Sequence, residues 1–418
     1  MLNAWYRLCC RHPRENRILF LSRQSNSLST DFALLSREAQ YVGGWEIEQR
    51  IKMVKGGLGG ATELVTRMFG DVRALARCRL CFVEGYNPAL SLLDMECDTT
   101  SDVSCAVKST QEEAANIATA GDASYTNGES ADTASRTTPN SRFPRQPIVM
   151  QVWHAAGHFK NFGFEALGTP EGRSREDARI FHMHANYSWI ACSGDGAREG
   201  FAEAFGYPAE RVVPLGHPSF DELYDAPDAS LARAYAAYPW LKDCDKPVIV
   251  YAPTLKRKNG DDLFEKLKED LEQDPRSQNY AFIWSLHPVN IEGTGVRATT
   301  RDFLRCASLL VTDYSSIVYD AALLDLPFAF YVPDIDEYRT SPGLATDPEK
   351  LSPGLCVENA QGLLDFLESS FQGSAHAQNY PTAERDAFVG TTLSACKPGS
   401  AERILDFALA RVKEAKAQ

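Results

Sequence analysis

Short apolar runs alternate along the chain with segments whose apolar residues recur at helical spacing. In the first part of the chain the runs are “RILFLS”, “WEIEQRI”, “RLCFVEG”, “PIVMQVW” and “WIACSG”. Helical patterns separate them, including “GGATELVTRMFGDVRALARC”, “EDARIFHMHANY” and “GAREGFAEAFG”. Buried strands that alternate with amphipathic helices are typical of an α/β protein with a mainly parallel sheet.

A second series of strand and helix patterns begins at Lys246-Pro247. Its strand candidates are “PVIVYAPT”, “YAFIWSLHP”, “SLLVTD” and “PFAFYVPD”, and the chain ends on the helical pattern “SAERILDFALARVKEAKA”. The simplest architecture is two doubly wound, Rossmann-type domains that face a central cleft. We predict an N-terminal segment at 1–14, an N-terminal domain at 15–240, a C-terminal domain at 241–395 and a final helix at 396–418.

Between residues 94 and 146 the hydrophobic pattern disappears. This stretch is rich in Ser, Thr, Ala, Asp and Asn and almost lacks aromatic residues. Such a composition buries too little apolar surface to offset the entropy of ordering the chain. We therefore predict a disordered insertion in the N-terminal domain rather than a further domain.

Charge and length exclude several classes of protein. The formal net charge of −13 argues against a general nucleic-acid binder. No apolar run reaches about 18 residues, the length that a membrane-spanning helix needs. The N-terminus mixes Leu2, Trp5 and Tyr6 with Arg7 and Arg11, a pattern compatible with contact to an anionic membrane surface. An ordinary frayed or docked terminus is the favoured alternative.

The cysteine content indicates a reducing environment. The chain has 11 cysteines, an odd number scattered over 418 residues, which is typical of reduced cytosolic thiols rather than of a disulfide framework. Cys78 and Cys81 form a C-x-x-C pair without a second pair at zinc-ribbon spacing. We interpret both as structural residues at a helix end and a strand start.

Small, hydroxylic, imidazole and basic residues follow the predicted strands. Because the carboxyl ends of parallel strands meet at one edge of a sheet, these residues are expected to gather at the cleft. They are Ser22, His154, Ser193, Gly194, Gly216, His217, Pro253, Thr254, Lys256, Arg257, His287, Pro288, Asp313, Ser315 and Ser316.

The sequence “VTDYSSIVYDA” at 311–321 is the strand end most suited to phosphate binding. Ser315 and Ser316 suit the N-cap and first turn of the helix that begins near Ile317. A helix N-terminus exposes unpaired N–H groups and the positive end of the helix dipole, so it attracts phosphate. Plain capping is the alternative, but the neighbouring strand ends add basic groups and an imidazole and favour a phosphate site.

These residues carry a resemblance to a known family. “VWHAAGHFKNFG”, “YAPTLKR”, “SLHP” and “LLVTDYSSIVYDAALLDLPFAFYVPDIDEY” resemble the CDP-glycerol:poly(glycerophosphate) glycerophosphotransferase family, the teichoic acid primases and polymerases. The resemblance implies a GT-B-like fold with the last helix crossing back. It also implies transfer of glycerol phosphate, or ribitol phosphate, from a CDP-alditol to a hydroxyl of a lipid-linked or glycan acceptor, with release of CMP.

The resemblance also implies roles for individual residues. His154 matches the candidate catalytic base, and His287 matches the histidine at the donor pyrophosphate. The residues that match or adjoin the donor-binding motifs are Thr254, Lys256, Arg257, Asp313, Ser315, Ser316 and Asp320. His217 stands beside the place of an arginine in the family pattern and is predicted to replace it in binding substrate. No cofactor and no metal site are required.

Three other histidines and two departures from the family motif bear on these assignments. His182 and His184 fall in a predicted helix, where neighbours but one do not share a face, so they are interpreted as structural. His158 is left open as an assistant to His154. The glycine and threonine that follow the histidine in the family pattern are Ala155 and Ala156 here, which bears on the identity of the acceptor.

Three functions share this architecture. The first is the alditol-phosphate transferase, with a CDP-glycerol or CDP-ribitol donor, a lipid-linked acceptor and a cytoplasmic location on the inner face of the membrane. The second is a GT-B glycosyltransferase or sugar-nucleotide epimerase that uses a UDP-sugar. The third is a non-catalytic nucleotide-binding or scaffold protein. Release of CMP rather than UDP distinguishes the first from the second.

Overall fold

The N-terminal half of the protein is built on a six-stranded parallel sheet. The computed structural model describes residues 1–53, 58–95, 146–170, 172–254 and 260–417. The sheet has the order β2-β1-β3-β4-β5-β6. Its strands are β1 Arg17–Ser22, β2 Glu46–Ile51, β3 Leu80–Glu84, β4 Ile148–Val152, β5 Trp189–Cys192 and β6 Val212–Pro214.

Helices cover both faces of this sheet because successive strand residues point to opposite sides. In β1, Leu19 and Leu21 pack with the helix Leu58–Arg77, whereas Ile18 and Phe20 pack with the helix Thr30–Val42. The other helices of this half are Leu2–Cys9, Pro88–Ser91, Arg175–Ile180, Arg198–Phe205, Asp221–Asp225 and Pro227–Ala237, with 3-10 turns at Asp195–Ala197, Ala209–Arg211, Pro218–Phe220 and Pro239–Asp243.

The C-terminal half repeats this plan with five parallel strands in the order β13-β12-β11-β7-β8. The strands are β7 Val248–Tyr251, β8 Ala281–Trp284, β11 Leu309–Thr312, β12 Phe328–Tyr331 and β13 Cys356–Val357; β9 Val289–Asn290 and β10 Arg297–Ala298 form a separate antiparallel pair. The helices are Gly260–Gln273, Thr300–Leu304, Ile317–Leu323, Ile335–Thr340, Pro348–Leu351, Ala360–Phe371, Thr382–Val389 and Ser400–Ala417, with 3-10 turns at Pro275–Asn279 and Pro353–Leu355.

The final helix, Ser400–Ala417, returns to the N-terminal half. Its residues Ile404 and Leu405 are buried in the same cluster as Ile18 and Phe20 of β1. The carboxylate of Asp221 accepts hydrogen bonds from the backbone N–H groups of Ser400 and Ala401, both at 2.9 Å, so it satisfies the first donors of this helix. The two facing sheets and this returning helix confirm the predicted GT-B-like fold.

The N-terminal helix Leu2–Cys9 packs on the helix Leu58–Arg77. The indole N–H of Trp5 donates to the carbonyl of Phe69 at 2.9 Å, and Tyr6 and Cys9 are buried. Most of the apolar face that suggested a lipid contact therefore lies against the protein. No helix in the described part of the chain is long and apolar enough to cross a membrane.

The helix predicted across 176–187 is shorter than expected. It ends at Ile180, and His182, His184 and Asn186 have positive φ angles. Asn and His tolerate this left-handed region better than most residues do. A series of turns, in which every second residue is left-handed, therefore replaces the last helical turns. His184 is buried and hydrogen-bonded to Tyr187 at 3.1 Å, in agreement with its structural interpretation.

Two other predictions concern the stretch around β3. Cys78 directly follows the helix Leu58–Arg77 and Cys81 lies in β3; both are buried and free of disulfides. This agrees with their interpretation as structural residues. Residues 96–145 lie outside the described residues, so the disorder expected for 94–146 stays a prediction.

Candidate active site

A cleft of about 1940 Å³ lies between the carboxyl ends of the two sheets. Both halves supply its walls, but the expected gathering of strand-end residues is found only in part, since the following described ones do not line the cleft: Ser22, Ser193, Gly194, Gly216, His217 and Asp313. Six of the residues proposed from the sequence line it: His154, Thr254, His287, Ser315, Ser316 and Asp320. Lys256 and Arg257 lie outside the described residues.

His154 stands in the cleft at the end of β4. It is an exposed residue whose ring lies 4.2 Å from the ring of Trp153, centroid to centroid. Desolvation by the cleft walls, and then the positive charge of His217, lower the pKa of His154 from 6.5 to about 4. At neutral pH the ring is uncharged and able to accept a proton.

The loop that follows His154 inserts into the C-terminal half. Phe159 is 4% exposed and packs against Phe330 and Phe388, with ring centroids 5.9 and 5.2 Å away. The carbonyl of Phe159 accepts from the N–H of Ala345 at 3.1 Å. The loop therefore fixes the position of His154 relative to the C-terminal half.

Gly157 permits the close approach of this loop to the helix Ile317–Leu323. Its φ angle is +68°, and a Cβ atom at this position would stand 2.4 Å from the ring of Tyr319. Both the left-handed backbone and the lack of space exclude a larger residue. This is the glycine of the motif “WHAAGHFK”.

The Asp313–Ser316 loop presents its hydroxyl groups to the cleft. Ser316 occupies the N-cap position of the helix Ile317–Leu323, but its side chain makes no capping hydrogen bond. It is exposed, and Ser315 is half-buried. The Ser315 Oγ is 3.5 Å from the N–H of Ile317, which is a long contact. Helix capping therefore does not fully use the hydrogen-bonding capacity of either hydroxyl group.

Asp313 orients Thr254 from behind the cleft wall. Asp313 is fully buried, and its Oδ1 accepts from the N–H of Thr254 at 2.8 Å and from the Thr254 hydroxyl at 2.7 Å. The Thr254 Oγ1 also accepts from the ammonium group of Lys160 at 3.2 Å. Lys160 lines the cleft and was missed as a site residue, although it ends the quoted motif “WHAAGHFK”.

His217 lies behind His154 rather than in the cleft. It is 6% exposed, and its Nε2 donates to the carbonyl oxygen of Trp153 at 3.0 Å. On the other side its Nδ1 is 3.2 Å from Asp31 and 3.0 Å from the hydroxyl of Ser219. The expected direct contact with substrate is therefore replaced by support of the backbone that carries His154.

The charge of His217 follows from these contacts. Burial alone would lower its pKa, but the adjacent Asp31 carboxylate outweighs burial and raises it. Burial likewise opposes ionisation of Asp31, and the charge of His217 outweighs it and lowers the pKa of that carboxyl. A doubly protonated ring can donate to the Trp153 carbonyl and to Asp31 at the same time.

Arg301 connects the two halves at the floor of the cleft. Its Nε is 2.5 Å from Asp320, and it donates to the carbonyl of Ser219 at 2.9 Å. Burial raises the pKa of Asp320, and Arg301 opposes this. Asp320 is thus committed to a buried ion pair. The sequence offered no signal for Arg301, since its partners are remote in the chain.

His158 points away from the cleft. Its Nε2 is 2.6 Å from Glu165, and its ring packs edge-on against Phe162 and Phe201. It does not line the cleft and is not placed to assist His154. Among the described residues there is also no group of three or more His, Cys, Asp or Glu side chains suited to a metal ion.

Comparison with known proteins identifies a family. Residues 130–409 match the model of the CDP-Glycerol:Poly(glycerophosphate) glycerophosphotransferase family. Two curated relatives from Bacillus spizizenii are each 28% identical: a teichoic acid poly(ribitol-phosphate) polymerase, over 62% of this chain and 42% of its own length, and a teichoic acid ribitol-phosphate primase, over 63% and 69%. The chain thus spans less than half of the polymerase.

A solved structure shows the same fold over almost the whole chain. The wall teichoic acid polymerase TagF superimposes with a TM-score of 0.58, covering 99% of this chain and 94% of the TagF chain, at 16% identity. At this identity the likeness concerns the arrangement of the two halves rather than individual side chains.

Proposed function

The chain belongs to the CDP-Glycerol:Poly(glycerophosphate) glycerophosphotransferase family, and we propose that it transfers an alditol phosphate from a CDP-alditol to an acceptor hydroxyl, releasing CMP. The donor is CDP-glycerol or CDP-ribitol, since the family is named for glycerol phosphate and the two relatives for ribitol phosphate. The product belongs to a polymer of the teichoic acid kind.

The C-terminal half is proposed to hold the donor. Ser315 and Ser316 present hydroxyl groups at the start of a helix, Thr254 is oriented by Asp313, and Lys160 adds a positive charge from the facing loop. His287 stands exposed at the end of β8 in the same cleft. Hydroxyls, N–H groups and a cation together offset the negative charge of a diphosphate without a metal ion.

His154 is proposed as the general base. The neutral imidazole accepts the proton of the acceptor hydroxyl while the oxygen attacks the β-phosphorus of the CDP-alditol. The bond between that phosphorus and the oxygen of CMP breaks, and CMP carries away the electron pair. A base that stays neutral over the physiological pH range is available for every turnover.

One observation carries this proposal: the loop after His154 is anchored in the half that holds the donor. Phe159 is buried among the aromatic residues beneath the Asp313–Ser316 loop, and its ring centroid is 6.4 Å from that of Tyr314. The base and the proposed phosphate site therefore keep a fixed relation, as an in-line displacement requires. A binding protein has no need for this.

The UDP-sugar alternative is not favoured. A GT-B glycosyltransferase or epimerase shares the architecture, but fold alone does not determine the reaction. The family match and both curated relatives are enzymes named for alditol phosphates.

We propose a lipid-linked acceptor and a peripheral position on the inner face of the membrane. In the N-terminal segment, Leu8 and Arg11 are exposed, and Arg7 forms an ion pair with the exposed Asp94 at 3.5 Å. These groups form a small basic and apolar edge, although Trp5 itself is turned inward. Substitution of Arg7 and Arg11 by Gln should weaken binding to anionic vesicles at low salt, and equal binding would remove the support for this contact.

A donor series tests the proposed reaction. The protein is incubated with CDP-glycerol, CDP-ribitol and UDP-N-acetylglucosamine in the presence of a membrane fraction as acceptor source, and the released nucleotide is identified. We expect CMP from one or both CDP-alditols and no UDP. Release of UDP without CMP would establish the sugar-nucleotide alternative instead.

A further inference from the structure

A second region of the cleft carries positive charge that the proposed donor site does not use. Tyr86 and Arg173 line the cleft in the N-terminal half. The Arg173 guanidinium lies over the Tyr86 ring, 4.6 Å from its centroid. Arg23, which directly follows β1, is half-buried behind this wall and does not itself line the cleft; its charge, like that of Arg173, opposes the rise that burial causes in the pKa of Tyr86. We call these three residues the arginine cluster.

The arginines of this cluster have no acidic partner among the described residues. Within the described part of the chain the Arg173 guanidinium lies on the Tyr86 ring and forms no ion pair, and the Nε of Arg23 is buried without a hydrogen bond. The positive charge of Arg173 adds to burial in lowering the pKa of Arg23. Two positive charges that disfavour each other in this way are stabilised when an anion lies between them.

The nearest carboxylate is already occupied. Asp71 attracts Arg23 only weakly, because its Oδ1 is 2.5 Å from Arg50 and its Oδ2 is 3.6 Å from Arg67. Arg50 and Arg67 therefore share Asp71, Arg50 also lies 3.6 Å from Glu48, and neither Arg23 nor Arg173 forms an ion pair with a carboxylate among the described residues. The local excess of charge points to a ligand rather than to an internal ion pair.

The arginine cluster is joined to His154 by a row of rings along the cleft wall. The ring centroid of Tyr86 is 6.1 Å from that of His184, and His184 is 6.4 Å from Trp153, which in turn adjoins His154. All four line the cleft. A molecule that lies along this row presents one end to the base and the other to the arginines.

We propose that Arg23 and Arg173 bind a phosphate group of the acceptor, so that the acceptor lies along Trp153 with its attacking hydroxyl at His154. This rests on the proposed function, since the diphosphate of the donor is assigned to the opposite wall. A guanidinium stacked on Tyr86 is held in one orientation, which favours paired hydrogen bonds to phosphate oxygens. The phosphate belongs either to a phosphodiester of a growing polymer or to the diphosphate of a lipid carrier.

Direct titration without donor tests the arginine cluster. The probes are a synthetic trimer of glycerol phosphate and a short-chain prenyl diphosphate, each titrated calorimetrically into the full chain at low salt. We expect Arg173→Gln and Arg23→Gln each to weaken binding of the preferred probe on the order of 10-fold, the effect of a charge-assisted hydrogen bond. The tighter probe identifies the source of the phosphate.

Arg179→Gln is the matched control. Arg179 is an exposed arginine on the nearby helix Arg175–Ile180 and does not line the cleft, so this variant should bind the probe as the wild type does. If the wild type binds neither probe, or if the Arg23 and Arg173 variants bind as tightly as the control, the proposal is overturned. Melting temperatures verify that each variant is folded.

A transfer assay separates this inference from the proposed function. Both cluster variants should raise the acceptor KM and leave the affinity for CDP-alditol unchanged. A loss of donor affinity instead would place the arginines at the donor and overturn the assignment to the acceptor. Arginine-dependent probe binding in a protein that releases no CMP from any CDP-alditol would contradict the proposed function alone.

Discussion

The two walls of the cleft are built in different ways. The C-terminal wall consists of short polar segments at the ends of β7, β8 and β11, with Thr254, His287 and Ser315 each close to its strand. The N-terminal wall consists of aromatic rings, one exposed histidine and the arginine cluster, and its parts come from loops that are distant in sequence. The first wall suits a compact diphosphate, and the second suits a longer and more variable molecule.

This difference explains why the proposed donor wall could be predicted from the sequence, whereas most of the proposed acceptor wall could not. A phosphate site needs N–H groups and hydroxyls at a strand end, and the chain supplies them within a few residues, as in Asp313 to Ser316. An elongated acceptor needs a surface. That surface is assembled from β1, β3, β4 and the 153–173 loop, and it is fixed by contacts such as the one from His217 to Trp153.

The largest effect is expected for His154→Ala, which removes the proposed base from the N-terminal wall. Turnover should fall about 10²–10⁴-fold, the usual contribution of a general base. The affinity for CDP-alditol, measured by calorimetric titration, should change little because the proposed donor site lies on the other wall. Turnover assays at saturating donor give the comparison.

His182→Asn is the control for this variant. His182 is exposed, has a positive φ angle that Asn tolerates, and does not line the cleft, so turnover should be that of the wild type. If His154→Ala abolishes donor binding while turnover at saturating donor is normal, His154 is a pyrophosphate ligand and the division between the walls is wrong.

Phe159→Ala tests the link between the walls. Phe159 is 4% exposed in the aromatic core of the C-terminal half, so its truncation should lower the free energy of unfolding by about 3–5 kcal/mol. Turnover should fall in the folded protein as well, because the loop that positions His154 loses its anchor. Phe159→Leu, which keeps most of the volume, should restore both properties in large part. Full activity of the folded Ala variant would show that the anchor is dispensable.

The arrangement of strands could be predicted from the sequence because short-range patterns determine it. Alternating strands and helices indicated two facing halves, and the runs around Phe20 and Val311 are buried strands as expected. The returning helix followed only from the family resemblance. The roles of Arg301 and Lys160 could not be predicted, since their partners Asp320 and Thr254 are neighbours only after folding.

Two errors in the sequence-based account have the same physical origin. The helix expected across 176–187 ends early because three residues adopt left-handed conformations, which are stabilised by the hydrogen bond from the Tyr207 hydroxyl to the carbonyl of His184 at 2.9 Å. His217 was expected to contact the substrate because it follows a strand. It is instead buried and forms an ion pair with Asp31, which lies 186 positions earlier in the chain. In both cases long-range packing outweighs a local pattern.

A smaller effect is expected for Ser316→Ala on the C-terminal wall. Loss of one hydrogen bond to a charged phosphate should weaken donor binding by about 1.5–3 kcal/mol and leave turnover at saturating donor nearly unchanged. Ser369→Ala, an exposed serine on the helix Ala360–Phe371, is the matched control and should have no effect. A lower turnover with normal donor affinity would assign Ser316 to the transition state rather than to the bound donor.

His217→Gln should change the pH dependence of the N-terminal wall. The pKa of His154 is lowered to about 4, first by desolvation and then by the charge of His217. The acid limb of the pH–rate profile should therefore lie below pH 6.5 in the wild type and move upward in the variant, which lacks that charge. Asp31, Arg301, Asp320 and Glu84 are the other charged groups around this site.

The same shifts predict opposite effects of pH on stability. His217 has a raised pKa in the folded state, so its contribution is complete below pH 6.5 and is lost as the pH rises through the folded value. His154 has a lowered pKa, so protonation of the unfolded chain reduces stability as the pH falls from 6.5 to about 4. Melting temperatures of both variants across pH 4–9 measure these contributions, and an unchanged acid limb in His217→Gln would show that its charge does not act on His154.

The smallest effect is expected for the insertion in the N-terminal half. Residues 98–144 lie between β3 and β4 in the sequence. These two strands are neighbours in the sheet, with Leu80 paired with Ile148, so the sheet can form without residues 98–144. Replacing these residues with about ten Gly and Ser residues keeps the buried Met95.

The shorter loop should raise the free energy of unfolding by no more than about 1 kcal/mol, since closure entropy varies only with the logarithm of loop length. Turnover and donor affinity should be those of the wild type, because the contacts described above for His154 and the arginine cluster come from other segments. A marked loss of acceptor affinity alone would add the insertion to the N-terminal wall, and a collapse in melting temperature would give it a structural role.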